Sequence, residues 1–405
     1  MKKLVLWAFF LFGIGLNAQV NVTTLTPEIE GSGGLSLDAD GNLIIADFGD
    51  FLSVPDPDGL PNHILSMAPD LTITQYSTGF VGASGNDFDS NGVLFQSDIR
   101  AGGIYKIVEG IRTFVTSTGI SAPVGIAFDS NDNFFVCNCG NNTIRKVTSG
   151  GVSTQFASGG IFSCPNGITV DEDDNLYVSN FGNGSIIKIT PAGDTSVLVA
   201  TPGGTTSGPS NGHLDYYEPS RTLFIASHGS NRIFAIRLDD PGTLIDIAGS
   251  GVRGNDDGDG ASATFSRPNG VAVTTTGDSI YINSAVPLTN VPNGPLNPQL
   301  IRLITGVNSI LGLEDNIDAA VKVKVYPNPV IDQFTIEANL SSSFDNLNLT
   351  LHDLQGRVLQ KFEDYSTDGQ HLKITLDVSN MQSGTYFYVL NDGSNQLFNG
   401  KVIKK

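Results

Sequence analysis

The sequence predicts an all-β fold, and three observations carry that prediction. The chain of 405 residues has 47 glycines, only 3 methionines and 16% charged residues, a composition rich in turn formers and poor in helix formers. Asp-Gly, Asn-Gly and Gly-Gly pairs, which close tight hairpins, recur along it. One pattern also repeats between Gly34 and Ile304: a glycine, an apolar strand, usually an aspartate, a tight turn, a second strand and a closing polar residue.

The copies begin at Gly34, Gly85, Gly125, Gly167, Gly212 and Gly270, with second strands over 42–47, 93–98, 133–138, 175–180, 222–228 and 279–284. Each is followed by two outer strands, as in Ile104 to Val108 with Thr113 to Thr116. A period of about 40 to 58 residues with four short strands per unit is the signature of propeller blades. One such sheet cannot bury both its faces, so the copies must stack in a ring, and six copies predict six blades. The segment Val20 to Leu25 reads as an outermost strand that completes the last blade and closes the ring, removing an open edge.

The ends of the chain have a different character. Lys2 and Lys3, an apolar run from Leu4 to Leu16 and Asn17-Ala18 read as a secretory signal peptide over residues 1–18, too short to cross a bilayer. No later run approaches the ~18 apolar residues of a transmembrane segment. After a propeller over 20–310, the acidic stretch 311–321 reads as a linker. Residues 322–405 resume alternation at Phe334, Ile336 and Ala338, at Leu347, Leu349 and Leu351, and at Leu372, Ile374 and Leu376. Each is a half-buried strand, and together they predict a small Ig-like β-sandwich.

Within the repeats, Pro165-Asn-Gly-Ile-Thr-Val-Asp171, Asp174-Asn-Leu-Tyr-Val-Ser179, Asn142-Thr-Ile-Arg-Lys-Val147 and Gly258-Asp-Gly-Ala-Ser-Ala-Thr-Phe-Ser-Arg-Pro-Asn-Gly270 resemble NHL-type propellers. The repeats resemble more loosely the streptogramin-lyase-like and SMP-30/gluconolactonase-like groups. This likeness speaks to fold more than to function. At the other end, Val325-Tyr-Pro-Asn-Pro329, Asp353-Leu-Gln-Gly-Arg357, Ser383-Gly-Thr-Tyr-Phe-Tyr388 and Lys401-Val-Ile-Lys-Lys405 are together similar to the type A sorting domain of the type IX secretion system of Bacteroidota. That resemblance implies a partner in the secretion machinery, contacted through 322–405. It also implies a protein secreted to the medium or attached to the outer-membrane surface after processing.

A formal charge of −19 repels phosphate backbones and anionic headgroups, which excludes nucleic acid as a partner. Function is expected on the face that carries the residue before each repeat glycine and the end of each second strand, here termed the mouth face. Its loops, 48–62, 201–211, 249–269 and 284–298, are long, and extended loops on a rigid scaffold are where function resides. The second-strand ends Asp47, Asp98, Asn138, Asn180, His228 and Asn283 (or Ser284) form a candidate ligand-binding ring. The positions before the repeat glycines contribute Asn166, Asn211 and Asn269, candidate ligands for Ca²⁺ or another divalent cation. Similarity to the lactonases implies a glutamate, two asparagines and an aspartate at such a site. Gly33 stands at the glutamate position and Asn269 at the aspartate position, which weakens that chemistry.

His228 is the single histidine placed at the mouth, a candidate for a catalytic base. The run Asn255 to Gly260 begins like a calcium loop but has Ser266 at its twelfth position, so it reads as a turn. Cys139 and Cys164 lie between adjacent blades, where an oxidising exterior permits a disulfide that leaves Cys137 free. With no complete catalytic set, the sequence favours an exported binding protein for a surface protein, glycan or small molecule. The alternative is a metal-dependent lactonase or a lyase.

Overall fold

The computed structural model describes residues 20–50, 61–203, 210–287, 295–311, 322–339, 347–352, 357–362, 366–367, 371–392 and 395–405. The expected signal peptide, all of the linker but Leu311, Asp353 to Gly356 and the tips of three mouth-face loops lie outside them. The chain divides into two compact units, Met1–Leu311 and Gly312–Lys405. Among the described residues both are built of β-strands, apart from a single helical turn at Val307–Leu311 and one 3₁₀ turn.

The first unit holds five four-stranded antiparallel sheets and a five-stranded one. Each runs outward from an innermost strand: Leu35–Leu37, Ala83–Phe88, Pro123–Phe128, Pro165–Val170, Leu214–Tyr217 and Val271–Val273. The repeated aspartate explains the tight turn between first and second strands. Asp38, Asp89, Asp129 and Asp171 each accept the backbone N–H groups two and four residues on, the Asx geometry that turns the chain without needing another partner. The residue before the turn closes, Asp132 or Asp174, sits at φ 56° or 60°, and its carboxylate bonds Ser90 or Ser130 of the preceding sheet.

Contacts between innermost strands pass from each sheet to the next and return to the first. Gly34 N–H donates to Ser84 O, and a Cβ on Gly85 would lie 2.4 Å from Val124 O. A Cβ on Gly125 would lie 2.5 Å from Asn166 O, and one on Gly167 would lie 2.6 Å from the His213 Cα. His213 N–H donates to Asn269 O, and a Cβ on Gly270 would lie 2.9 Å from Gly33 O. At Gly85, Gly125, Gly167 and Gly270 only glycine permits so close an approach of backbones. Ser97 and Ser179 stitch neighbouring sheets by donating to Val124 O and Gly212 O. Cys137 occupies the same register and points its thiol at Gly167 O.

The sheets pack face to face. Ala127, Phe135 and Ile144 of the third share a core with Ile168, Leu176 and Ile187 of the fourth, and each fully buried aliphatic contributes about 1.5–3 kcal/mol. In the sixth sheet the strand Asn21–Thr24 pairs with Gln299–Thr305 and with Gly258–Asp259, so both ends of the unit meet in one sheet.

The second unit has two four-stranded sheets. Alternate side chains, Phe334, Ile336 and Ala338 from one and Leu349, Leu351 and Leu390 from the other, form a shared core. Two sequence motifs meet here. Asn328 donates to Lys401 O and accepts from Ile403 N–H, which ties the Tyr-Pro-Asn-Pro segment to the basic C-terminal strand.

Candidate functional site at the mouth of the ring

Backbone register decides which residues face the mouth. Gly33 N–H donates to Ala46 O, and Gly212 N–H donates to Ala226 O in the same way. In the fifth sheet Ser227 therefore stands level with Asp47, Asp98, Asn138 and Asn180, and His228 lies one residue beyond. In the sixth sheet Val271 pairs with Ile282, as Ile168 pairs with Val178. Ser284 is thus level with the ring and Asn283 one residue before it.

Side chains at ring level turn toward the surrounding loops. Asp47 accepts from Ser32 Oγ, Gly49 N–H and the amides of Asn62 and Asn297. Asp98 accepts Val81 N–H and Ala101 N–H. Asn138 accepts Ser121 N–H and donates to Gly119 O, and Asn180 accepts Ser163 N–H and donates to Ile161 O. Asn283 accepts Gly270 N–H and donates to Gly31 O and Gly33 O, binding the sixth sheet to the first. These groups hold the loops in place, as buried polar side chains must.

Because strand side chains alternate, the residues one step further on face inward. Phe48, Ile99, Cys139, Phe181 and His228 line a hollow of about 230 Å³, joined by Arg100, Asn166, Asn269 and Leu296. Only the register slip in the fifth sheet brings His228 into this set. Its ring meets Phe181 edge-on at 5.5 Å. Burial, then the charges of Arg267 and Arg253, lower its pKa to about 3, so it is neutral at physiological pH. Arg100 is fixed by donating to Phe48 O and Val81 O. Asn166 donates to Asn211 O, and Asn269 donates to Ser32 O.

Asn211 does not join Asn166 and Asn269 in this hollow. Its amide is committed to Thr201 Oγ1 and Gly184 O, and Gly212 takes the register position that sequence spacing gave to Asn211. Among the described residues no carboxylate lines the hollow, whereas Arg100 does. Two neutral amides beside a guanidinium do not fit a divalent cation, whose affinity depends on anionic oxygens. A different set of donors lies nearby: Glu30, Asp47 and His63 bring ligand atoms within 4.8 Å of one another. His63 lies on the third strand of the first sheet and Glu30 ahead of the first repeat glycine, both outside the repeated positions that pointed to the mouth. Phe48, Ile99 and Phe181 did carry a signal, each standing directly after a strand-end polar residue.

Cys139 and Cys164 are joined by a disulfide across a separation of 25 residues and form part of the hollow's wall. Cys137 is free and buried, and burial raises its thiol pKa well above the usual value, which keeps it protonated and unreactive.

The profile of the secretion system C-terminal sorting domain matches residues 324–405. The C-terminal unit is a sorting domain. Through it the chain engages the type IX secretion machinery and is delivered to the cell surface or the medium. The sorting domain explains neither the ring nor its hollow. There, the NHL repeat profile matches residues 162–189, and the structural neighbours are propellers.

An auxiliary nutrient binding protein from Bacteroides ovatus is 14% identical with a TM-score of 0.53, covering 71% of this chain and 76% of its own. A gluconolactonase from Xanthomonas campestris is 13% identical with a TM-score of 0.52, covering 71% and 90%. A streptogramin B lyase is 17% identical with a TM-score of 0.47, covering 70% and 97%. At such identities the likeness concerns the fold. No curated protein sequence gives a significant match. Among the described residues no helix is long and apolar enough to cross a membrane.

Proposed function

We propose that the first unit is a six-bladed propeller acting as an exported binding protein, with its ligand in the mouth-face hollow, and that the second is an Ig-like sandwich serving delivery. One observation carries this reading. The polar ring is committed to holding loops, while the inward-facing set is Phe48, Ile99, Phe181 and Leu296 with a neutral His228 and the guanidinium of Arg100. Such a surface, apolar with one guanidinium and no carboxylate among the described residues, suits a partly apolar group, neutral or anionic, of a surface protein, glycan or small molecule better than it suits hydrolysis, which needs a positioned base or an activated water. The test is a pull-down from cell-surface extract with the full chain and with Phe181→Ser. The expected result is a captured component that the variant loses by about tenfold, the effect of roughly 1.4 kcal/mol of lost contact. Equal capture by both chains would overturn the hollow as the site.

A second reading, a metal-dependent lactonase or a lyase, is favoured by the Glu30, Asp47 and His63 cluster alone. Calorimetric titration of Zn²⁺ and Ca²⁺ decides it. Micromolar binding lost in His63→Ala would support this reading, and no binding below millimolar would remove it.

A further inference from the structure

On the side of the ring away from the mouth, among the turns that join first and second strands, lies a separate cavity of about 420 Å³. Its floor is unusual. Where the innermost strands converge, five sheets place the glycines Gly34, Gly85, Gly125, Gly167 and Gly270. The fifth sheet, shifted by one residue, places His213 there, and His213 N–H donates to Asn269 O as Gly34 N–H donates to Ser84 O. The imidazole reaches across the ring: its Cε1 would lie 3.2 Å from a Cβ on Gly34. His213 is 8% exposed and Asn86 9%. His213 Nε2, Asn86 Oδ1 and Ser36 Oγ have no hydrogen-bond partner in the protein, and all three residues line this cavity.

The same register shift reveals a pair of carboxylates. Asn86 pairs with Gln96 and Leu214 with Ile225, so Asp87 and Asp215 hold one equivalent position in the second and fifth sheets. The other four sheets have Ser36, Ala127, Thr169 and Ala272 at that position. Each carboxylate accepts the N–H of its successor, Phe88 or Tyr216, at 2.8 Å. Each also accepts an N–H from the following sheet, Phe128 or Val273. In a ring of six consecutively contacting sheets the second and fifth face each other, and the charge of Asp215 is felt at Asp87. Asp38, Glu218, Tyr216 and Tyr217 also line the cavity, and among the described residues no lysine or arginine does.

The groups on offer are acceptors: two carboxylates, an amide oxygen, a hydroxyl and an imidazole. Asp87, Asp215 and His213 do not form a cluster within 4.8 Å, the spacing that marks Glu30, Asp47 and His63. A single bare metal ion is therefore not held by all three. An elongated cation with several N–H donors fits the arrangement. We propose that this cavity binds a small organic cation, a guanidinium or primary ammonium group, held between Asp87 and Asp215 with Asn86, Ser36 and His213 accepting its hydrogen bonds. The site stands apart from the mouth-face hollow and does not depend on the reading given to it.

The test titrates methylguanidinium, and its neutral counterpart N-methylurea, into the full chain at about pH 8, read by calorimetry and by the imidazole NMR signals of His213. Methylguanidinium is expected to bind and to move the His213 signals, and N-methylurea to do neither. Affinity is expected to fall about tenfold or more in Asp87→Asn and in Asp215→Asn, and again in the native chain at about pH 5, where carboxylates of raised pKa take up protons. If an Asn variant fails to fold, the native pH series and Ser36→Ala, expected to weaken binding about threefold, still decide. The proposal is overturned if methylguanidinium leaves His213 unmoved at millimolar concentration, if N-methylurea binds equally, or if Ca²⁺ produces the same shift and displaces methylguanidinium.

Discussion

Asp87 and Asp215 are maintained against a stability cost that pH exposes. Burial, together with the charge of Asp215, pushes Asp87 up to about 7, and burial pushes Asp215 up to about 6. An unfolded aspartate titrates near ~3.9. Between that value and the folded pKa the native state binds more protons than the unfolded chain, so the native state gains stability as pH falls through this window. Asparagine cannot respond in this way. Thermal unfolding of the native chain and of Asp87→Asn/Asp215→Asn, compared from about pH 8 to about pH 4, is expected to shift in favour of the native chain by on the order of a few kcal/mol. A difference that stays flat with pH would mean the carboxylates are relaxed. His213 works in the opposite sense. Burial lowers it to about 4, so its contribution is lost as pH falls from about 6.5, and it is common to both chains. Little of this was legible in the sequence. Gly212 looks like the repeat glycine, and anchoring the fifth copy on it places His213 among the packed aliphatics, Asn211 in the mouth and Asp215 on the wrong face. A one-residue slip reverses every side chain in a strand, and only inter-sheet hydrogen bonds reveal it.

At the scale of elements, the strand Asn21–Thr24 shows how a composition signal and a packing role can diverge. An outlying strand before the first repeat was readable, because a ring with an open edge is unfavourable. The role of the Asn255 to Gly260 run was not. Rather than forming an isolated turn, Gly258–Asp259 pairs with the strand, and Asp257 accepts Thr24 N–H, Thr24 Oγ1 and Arg302 Nη2. Burial pulls Asp257 upward, but these bonds outweigh it and hold its pKa below the usual value. Arg302 is fully buried, lies over the Phe265 ring at 5.2 Å and donates to Thr264 O and Asp256 O. Deleting residues 20–25 removes Val20 and Val22, both buried, each worth about 1.5–3 kcal/mol, and exposes the edge of Gln299–Thr305. At roughly 2–4 °C per kcal/mol for a domain of this size, a midpoint lowered by roughly 10 °C or more is expected by circular dichroism. A change of a degree or two would mean the ring closes without this strand.

At the scale of the whole molecule, destination and chemistry agree. The disulfide Cys139–Cys164 belongs to an oxidising compartment, and closing a loop of 25 residues stabilises by about 3 kcal/mol, a device of little use in a reducing cytosol. The sorting domain supplies the route. Its two sheets enclose their own core, and Asn328 fastens the Tyr-Pro-Asn-Pro segment to the strand that carries the terminal basic residues. The two motifs thus form one surface feature rather than two. The first unit likewise closes on itself through Asn21–Thr24 and Gln299–Thr305, so removing the sorting domain breaks none of its sheets. A chain ending at Leu311 is therefore expected to fold, form its disulfide and remain inside the outer membrane. The full chain is expected at the surface, cleaved by protease added to intact cells, or in the medium. Fractionation with external protease distinguishes the two. A truncated chain that reaches the surface would show that export information lies in the propeller, and a truncated chain that is degraded before its disulfide forms would show that the first unit needs the second to fold.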